Sequence, residues 1–445
     1  MNRLPPAIAL MQEPVSSLYI HVPFCARKCS YCAFYSEAAN AELMDRYVQA
    51  LLREFRRVAP DLRPHTIFFG GGTPTLLTPR HWEQILQAMH EFGWLPTAEC
   101  TVEANPATLS GEKARLLRAA GVNRISLGVQ SLDPTVLEFL GRIHGPEEVF
   151  RSWDLLRRAG FENLNLDLMF AIPGQSMESW EQTLREALAL QSEHLSCYEV
   201  IYEEDTPLFA RFQQGDFTVD EDLACAQYER LLERTAEAGL FQYEVANFAR
   251  DRRAPDPPPA VLSEEFPAYA CRHNINYWRG GDFYGLGPSA VSYIRGIRTR
   301  QTPHTLSWCR AVEQGQVPVV FQEQLSPFAR AGEIAAFGLR VVSGWPYDTF
   351  LRRTGFDLRQ AWAPELQELE RRQWGVREAN RFRLTPLGLR FADAAAEMML
   401  RPDPGPVDLR AAANRFQTVA PESGSPLGVP VTRWIPPQAR AAPAD

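Results

Sequence analysis

Three cysteines fall within seventeen residues, Ser16-Ser-Leu-Tyr-Ile-His-Val-Pro-Phe-Cys25-Ala-Arg-Lys-Cys29-Ser-Tyr-Cys32, at a Cys-x3-Cys-x2-Cys spacing. The run before Cys25 reads as a β-strand, so the three thiols share one short loop at a strand end. Three thiolates from one loop suit a [4Fe–4S] cluster and leave its fourth iron without a protein ligand, open to a small chelating molecule. A structural zinc site asks for four closed ligands, and no fourth Cys or His stands close by at finger spacing. His21 precedes the loop along the strand and is a poor fourth ligand. A disulfide would leave one thiol over.

A second constellation follows. Phe68-Phe-Gly-Gly-Gly72-Thr73-Pro74 closes the next strand-like run, where glycines let a backbone approach a ligand closely. Glu103 and Gln130 fall at the ends of later strands, Asp167 on a strand face, and Arg142 on a crossover within Leu140-Gly-Arg-Ile-His144. Two carboxylates, an amide and a guanidinium on one rim can bind an amino-acid moiety and a ribose. Each residue alone reads as an ordinary hydrogen-bonder; their shared rim is the signal.

The elements that must position these groups alternate. Strands are expected at 17–22, 65–70, 99–104, 124–129, 164–170 and 195–201, and helices near 41–58, 79–92, 111–120, 146–160 and 177–191. Alternating βα units imply a parallel sheet with right-handed crossovers and ligands at the C-terminal ends of its strands. Six such units make most of a (β/α) barrel. Side chains alternate faces along a strand. One face carries Leu18, Ile20, Val22, Cys100, Val102, Ala104, Ile125, Leu127, Val129, Leu164, Leu166 and Leu168, and should pack under the helices. The other carries Tyr19, His21, Thr101, Glu103, Ser126, Gly128, Gln130, Asn165, Asp167, Ser196 and Tyr198. A closed barrel fills its interior with branched aliphatics. A polar interior fits an open barrel around a polar cofactor, or else a sheet with one wet face.

Together, the cysteine loop, Gly70-Gly-Gly-Thr-Pro74, Glu103-Ala-Asn-Pro106, Asn123-Arg-Ile-Ser-Leu-Gly-Val-Gln130, Leu140-Gly-Arg-Ile-His144 and Asn165-Leu-Asp-Leu168 resemble the radical S-adenosylmethionine (SAM) superfamily. More narrowly they resemble its oxygen-independent coproporphyrinogen III oxidase-like branch, over about residues 15 to 400. The resemblance implies a partial (β/α)6 radical SAM barrel in which SAM chelates the open iron through its amino and carboxylate groups. Gly71, Gly72 and Thr73 would contact its methionine part; Tyr19, Glu103, Gln130, Arg142 and Asp167 would complete the site, and Tyr31 would lie beside the cluster.

Within that branch, true oxidases usually carry a further Cys two positions after the third; this chain has Phe34 there. That pattern resembles the haem chaperones named HemW, as does Cys271-Arg-His273-Asn-Ile-Asn-Tyr277-Trp278, followed by Tyr284-Gly-Leu-Gly-Pro-Ser-Ala290. The resemblance implies haem as a ligand, with His273 as an axial imidazole and Tyr277 and Trp278 packing on the porphyrin; a histidine that only hydrogen-bonds within its loop is the other reading. It also implies a haem-acceptor protein as partner, with a homodimer as a further partnership. Val291 stands where the family often has His, and Ala33 where it has Asp. The two rival readings are oxidative decarboxylation of coproporphyrinogen III and a radical SAM enzyme on another substrate.

The remaining sequence bounds the setting. The chain has 445 residues and a net charge of −8, which speaks against a general nucleic-acid surface. Lysine occurs only at Lys28 and Lys113, read as codon bias towards Arg. No stretch of about twenty apolar residues exists to span a membrane, and the first residues lack a signal-peptide pattern. Cys100, Cys197, Cys225, Cys271 and Cys309 are scattered and expected to be packed thiols, so a reducing cytoplasm is the expected compartment. The expected organisation is an N-terminal extension (1–15), the barrel and its extension (16–249), a Pro-rich insertion (250–268), a segment with the His273 motif completing the core (269–324), a mostly helical winged-helix-like domain (325–400) and a disordered tail (401–445). The acidic balance of 364–400 favours a packing or lid role for that domain over DNA binding.

Overall fold

The computed structural model describes residues 13–251 and 266–401. Most of the Pro-rich insertion, residues 1–12 and the tail beyond Arg401 lie outside the described residues.

Six parallel strands form the core of a nine-stranded sheet. They are β1 (Val15–Val22), β2 (Leu62–Gly71), β3 (Glu99–Ala104), β4 (Arg124–Gln130), β5 (Leu164–Phe170) and β6 (His194–Glu199). Each neighbours the next in chain order. The intervening helices are α1 (Ala41–Val58), α2 (Pro79–Glu91), α3 (Gly111–Ala119), α4 (Pro134–Leu140), α5 (Pro146–Arg158) and α6 (Met177–Ala189). This is the partial (β/α)6 barrel. Their starts follow from capping: the Asn40, Ser110 and Ser176 side chains accept the backbone N–H of Leu43, Lys113 and Ser179, satisfying a donor no helical carbonyl can reach.

Beyond β6 come α7 (Pro207–Gln213), α8 (Glu221–Glu237), β7 (Phe241–Gln242), β8 (Asn247–Ala249), α9 (Arg272–Trp278) and β9 (Tyr284–Leu286). β8 and β7 extend the sheet antiparallel past β6, and β9 pairs parallel with β1. A small antiparallel sheet follows, from β10 (Val291–Ile294), β11 (Ile297–Gln301) and β12 (Val319–Gln324), with α10 (Thr305–Glu313) between the last two.

The two faces of the barrel strands divide by chemistry. Leu18, Ile20, Val22, Val102, Ile125, Leu127, Leu164 and Leu166 are at most 1% exposed and join one apolar core with the helices. Each such side chain contributes about 2 kcal/mol by leaving water. The opposite face is also buried: Thr101, Ser126, Asn165 and Ser196 are all under 7% exposed. It is therefore an interior and not a wet face. Two expectations are corrected. Tyr198 is exposed, because β6 runs out one residue later. Cys225 is exposed too, because α8 turns Ala224, Gln227 and Leu231 inward and Cys225 away.

By contacts the chain divides into two units, the second formed by Tyr243–Val245, Trp278–Gly280 and the residues from Gln324 on. The second unit holds α11 (Pro327–Gly338), β13 (Trp345–Pro346), α12 (Tyr347–Thr354), α13 (Leu358–Ala361), α14 (Ala363–Arg371), β14 (Gly375–Arg377), β15 (Arg381–Leu384), α15 (Pro386–Arg390) and α16 (Ala392–Met399). Its apolar core centres on Trp345, Phe350, Trp362 and Phe382. The pattern opening at Thr385-Pro-Leu-Gly predicts one last helix to Leu400; it splits at Phe391, whose ring stacks on Trp374 at 4.6 Å. Phe241-Gln-Tyr-Glu-Val245 predicts a strand over 241–245, but β7 ends at Gln242, and the Tyr243 carbonyl accepts from the amide of Val342. Among the described residues, no helix is long and apolar enough to cross a membrane.

Candidate cofactor site

The cysteine loop is fixed at both ends by backbone groups. After β1, the Gly72 and Thr73 amides donate to the carbonyls of Val22 and Phe24 at 2.8 and 2.7 Å. This approach needs glycine: a Cβ on Gly72 would stand 2.7 Å from Phe24 O and 2.8 Å from Val22 O. The Cys-rich loop is thereby stitched to the glycine turn, and Thr73 Oγ1 comes within 3.7 Å of Cys25 Sγ.

The far end of the loop docks on α4, an element absent from the expected set. α4 begins with Pro134 after the Asp133 cap and ends at Gly141 in the left-handed region at φ 73°, the conformation glycine adopts without steric cost. The orphan carbonyl of Leu140 accepts from the Ser30 amide at 3.2 Å and its hydroxyl at 3.0 Å. The turn at Gly141 also delivers Arg142, which donates from Nη1 to Cys29 Sγ at 3.5 Å and from Nη2 to Gly128 O at 2.6 Å. Tyr31 packs on the small core beside α4, and burial pushes its hydroxyl pKa up. Burial likewise raises the Cys32 thiol to about 11. Among the described residues no three His, Cys, Asp or Glu side chains converge on a single ion position.

β4 ends irregularly. Its pairing with β5 slips between Gly128 and Gln130, and Gln130 adopts φ 67°. Such bulges and left-handed non-glycine residues concentrate where a side chain must be re-aimed. Glu103 accepts from the Gly71 amide at 3.2 Å. Its pKa is pushed up to about 8, chiefly by burial and next by the Asp167 charge, against the pull of the Gly71 N–H and of Arg124. Asp167 accepts from Ser126 Oγ at 3.0 Å and Asn165 Nδ2 at 2.8 Å, and burial raises its pKa also.

Tyr19 donates to His21 Nδ1 at 3.1 Å, because His21 Nε2 already donates to Tyr35 O at 2.8 Å. His21, set aside as a cluster ligand, thus orients Tyr19, and its ring lies where a Gly71 side chain would be. Arg124, 2% exposed, is not legible in the sequence, because its place as the first residue of a strand pattern says nothing of where its side chain goes. Its charge acts on Glu103, Asp167, His194 and His273.

The His273 motif is not a loop. α9 starts on Glu99, whose carboxylate accepts from the amides of Arg272 and His273 at 2.8 and 3.0 Å. His273 is 1% exposed, with Phe68 stacked on its ring at 5.2 Å, and Tyr19 lies on the other flank of Phe68. Thr66 Oγ1 donates to Ser17, so it accepts from His273 Nδ1–H at 2.9 Å. His273 Nε2 then accepts from the Tyr277 hydroxyl at 2.8 Å. Both ring nitrogens are engaged, and burial lowers the pKa to about 3. Tyr277 packs edge-on against Phe283. Trp278 belongs to the second unit, with Phe337 and the Arg340 guanidinium against its ring. The structure thus brings the cysteine loop, Gly71–Thr73, Glu103, Gln130 and Arg142 to the C-terminal strand ends, with Asp167 and Tyr19 on the inner face. It puts His273 and Tyr277 within the packed interior.

Residues 19–187 match the Radical SAM superfamily, and residues 325–391 match the HemN C-terminal domain. The chain is 31% identical to the heme chaperone HemW of Lactococcus lactis, over 88% of this chain and 99% of that protein. It is 33% identical to the heme chaperone HemW of Escherichia coli, over 88% and 100%. Among solved structures, the fold resembles coproporphyrinogen III oxidase (HemN) from Escherichia coli, a radical SAM enzyme, with a TM-score of 0.72, 19% identity and coverage of 87% and 90%.

Proposed function

We propose, from the premise that this chain belongs to the HemW family of the radical SAM superfamily, that it is a haem chaperone that holds a [4Fe–4S] cluster and SAM and passes haem to an acceptor protein. The observation that carries this reading is similarity over 88% of this chain: relatives named heme chaperones align over 99–100% of their own length. Under it, Cys25, Cys29 and Cys32 would hold the cluster, which supplies a one-electron centre with an open coordination position. Arg142 beside Cys29 would offset thiolate charge. Gly71, Gly72, Thr73, Glu103, Gln130 and Asp167 would take the amino-acid and ribose parts of SAM, with Tyr19 held in place by His21. The mix of carboxylate, amide and close-approach glycine supports that fit. For His273 to serve as an axial haem ligand, the hydrogen bond between its Nε2 and the Tyr277 hydroxyl would have to give way.

The alternative, an oxygen-independent coproporphyrinogen III oxidase, has the likeness to the HemN fold in its favour. Phe34 speaks against it, standing 47% exposed where the oxidases usually carry a further Cys. Anaerobic reconstitution separates the two. The chaperone reading expects stoichiometric haem binding, transfer to an apo-haemoprotein and no protoporphyrinogen from coproporphyrinogen III with SAM and reductant. Turnover of coproporphyrinogen would replace it with the oxidase. Neither haem binding nor turnover, with 5′-deoxyadenosine formed, would point to a radical enzyme on another substrate.

A further inference from the structure

Lysine occurs at two positions among 46 Lys and Arg residues. Lys28 is exposed on the cysteine loop, whereas Lys113 is 8% exposed at the third position of α3. Two features of that place oppose a cation, against the pull of the Glu112 charge. It is desolvated, and the N-terminal end of a helix repels positive charge. Burial accordingly lowers its pKa. What holds it is a pair of carbonyls: Nζ donates to Thr75 O and, at 3.1 Å, to Thr108 O.

Those carbonyls belong to the two turns that carry the candidate site. Thr75 lies in the 3-10 turn directly after Gly70-Gly-Gly-Thr-Pro74, and Thr108 ends the 3-10 turn that follows Glu103-Ala-Asn. Their hydroxyls meet at 2.7 Å, and the Asn105 amide donates to Thr75 Oγ1 at 3.3 Å. On the other side the Gly71 amide donates to Glu103. The result is a closed circuit: Gly71 to Glu103, along the chain to Thr108, across Lys113 to Thr75, and back to Gly71. Thr73, on the same arc, faces Cys25. An ammonium is a compact point charge that can aim separate protons at two converging carbonyls, whereas a planar guanidinium is wider and fixed in its fork. That geometry accounts for lysine here in a chain that uses arginine at nearly every other basic position.

We infer that Lys113 is a positioning residue: by tying Thr75 to Thr108 it sets the span between the glycine turn and the Glu103 carboxylate, and so the fit of SAM. The inference rests on the SAM reading above. Lys113→Met keeps the length and removes the donors; Thr108→Val leaves Lys113 in place and breaks the hydroxyl link to Thr75 together with the hydroxyl's bond to Asn105 O. In full-length, anaerobically reconstituted protein, Lys113→Met is expected to keep its cluster absorption and its SAM-free reduced EPR signal. It should weaken SAM binding tenfold or more and lose the SAM-induced change in that signal. Lys113→Arg should fail to restore either, and Thr108→Val should weaken SAM several-fold. A loss of stability alone would move neither the affinity of the folded fraction nor the EPR response. If Lys113→Met does not fold, Lys113→Arg decides, since it keeps the charge and loses the aim at the two carbonyls. Wild-type SAM affinity within twofold in the folded variants overturns the role of Lys113 alone. Wild-type protein that holds its cluster but binds no SAM overturns the reading of the site and this inference with it.

Discussion

A single carboxyl, Glu103, carries the clearest consequence at the scale of one residue. Raised to about 8 by burial and by Asp167, it is mostly protonated at neutral pH. A ligand that brings positive charge beside it, as the sulfonium and ammonium of SAM would, favours the ionised form, so binding should release a proton. SAM affinity is therefore expected to rise with pH between about 5 and 8, by up to tenfold per unit, and to level off above. Glu103→Gln should flatten this slope; calorimetry in two buffers of different ionisation heat reads the proton directly, and zero release at pH 7 would contradict the assignment. The linkage to folding has the same origin. A carboxyl with a raised folded-state pKa adds stability fully present below its unfolded value, and loses it as pH climbs through 8. Glu103→Gln should therefore be the more stable protein at pH 9 and not at pH 4. His273 gives a second test. Removing its ring strands Thr66 and Tyr277 in the interior, so His273→Ala should cost about 2–4 kcal/mol in denaturant unfolding. The haem absorption spectrum per folded molecule should not change. A shifted Soret band would restore the imidazole as a ligand.

At the scale of elements, what the sequence could reveal depended on whether a signal was periodic. The six barrel strands and five of their helices were legible within a few residues, because alternation and 3.6-residue spacing survive in Leu18-Tyr-Ile-His-Val22 or Leu43 to Phe55. So was the polar inner face. α4 was not legible: seven residues from Pro134 to Leu140 are too few to set a period. Only its Asp-Pro start and Gly141 marked it, yet it presents Arg142 and anchors Ser30. α9 was read as a loop because its helix is nucleated from outside, by Glu99 more than 170 residues away; no local pattern carries that. The left-handed Gln130 and the burial of Arg124 are likewise tertiary facts. The seam between β1 and the glycine turn yields the prediction proper to this scale. The added Cβ in Gly72→Ala meets three backbone atoms, Phe24 O, Val22 O and Phe24 N, at 2.7, 2.8 and 2.9 Å, and backbone cannot rotate out of the way. The loop must shift, at a cost of about 1–3 kcal/mol, and iron content per chain after reconstitution should fall well below wild type. Full iron loading with wild-type stability would show that the seam does not hold the cysteines.

Across the whole molecule, the decisive feature is that burial is organised around separate cores. The larger core runs from Val15 to Val312, and the second from Ala331 to Met399. Every residue proposed for the cluster and SAM lies in the first unit; of the residues singled out in the sequence, only Trp278 lies in the second. A ligand stabilises what it binds and leaves an independently unfolding unit unchanged. Scanning calorimetry of the cluster-loaded protein should therefore resolve two transitions. SAM at about 100 times its dissociation constant adds about 2.7 kcal/mol to the unit that holds it, which should raise the larger transition by about 5 °C. The smaller transition should stay where it is. The same experiment on Lys113→Met should show both transitions with the SAM-dependent shift reduced, since the circuit through Thr75 and Thr108 is internal to the first unit. If both transitions rise together with SAM, the two cores melt as one cooperative body, and the division of labour between a cofactor-holding barrel and a separate helical unit does not hold.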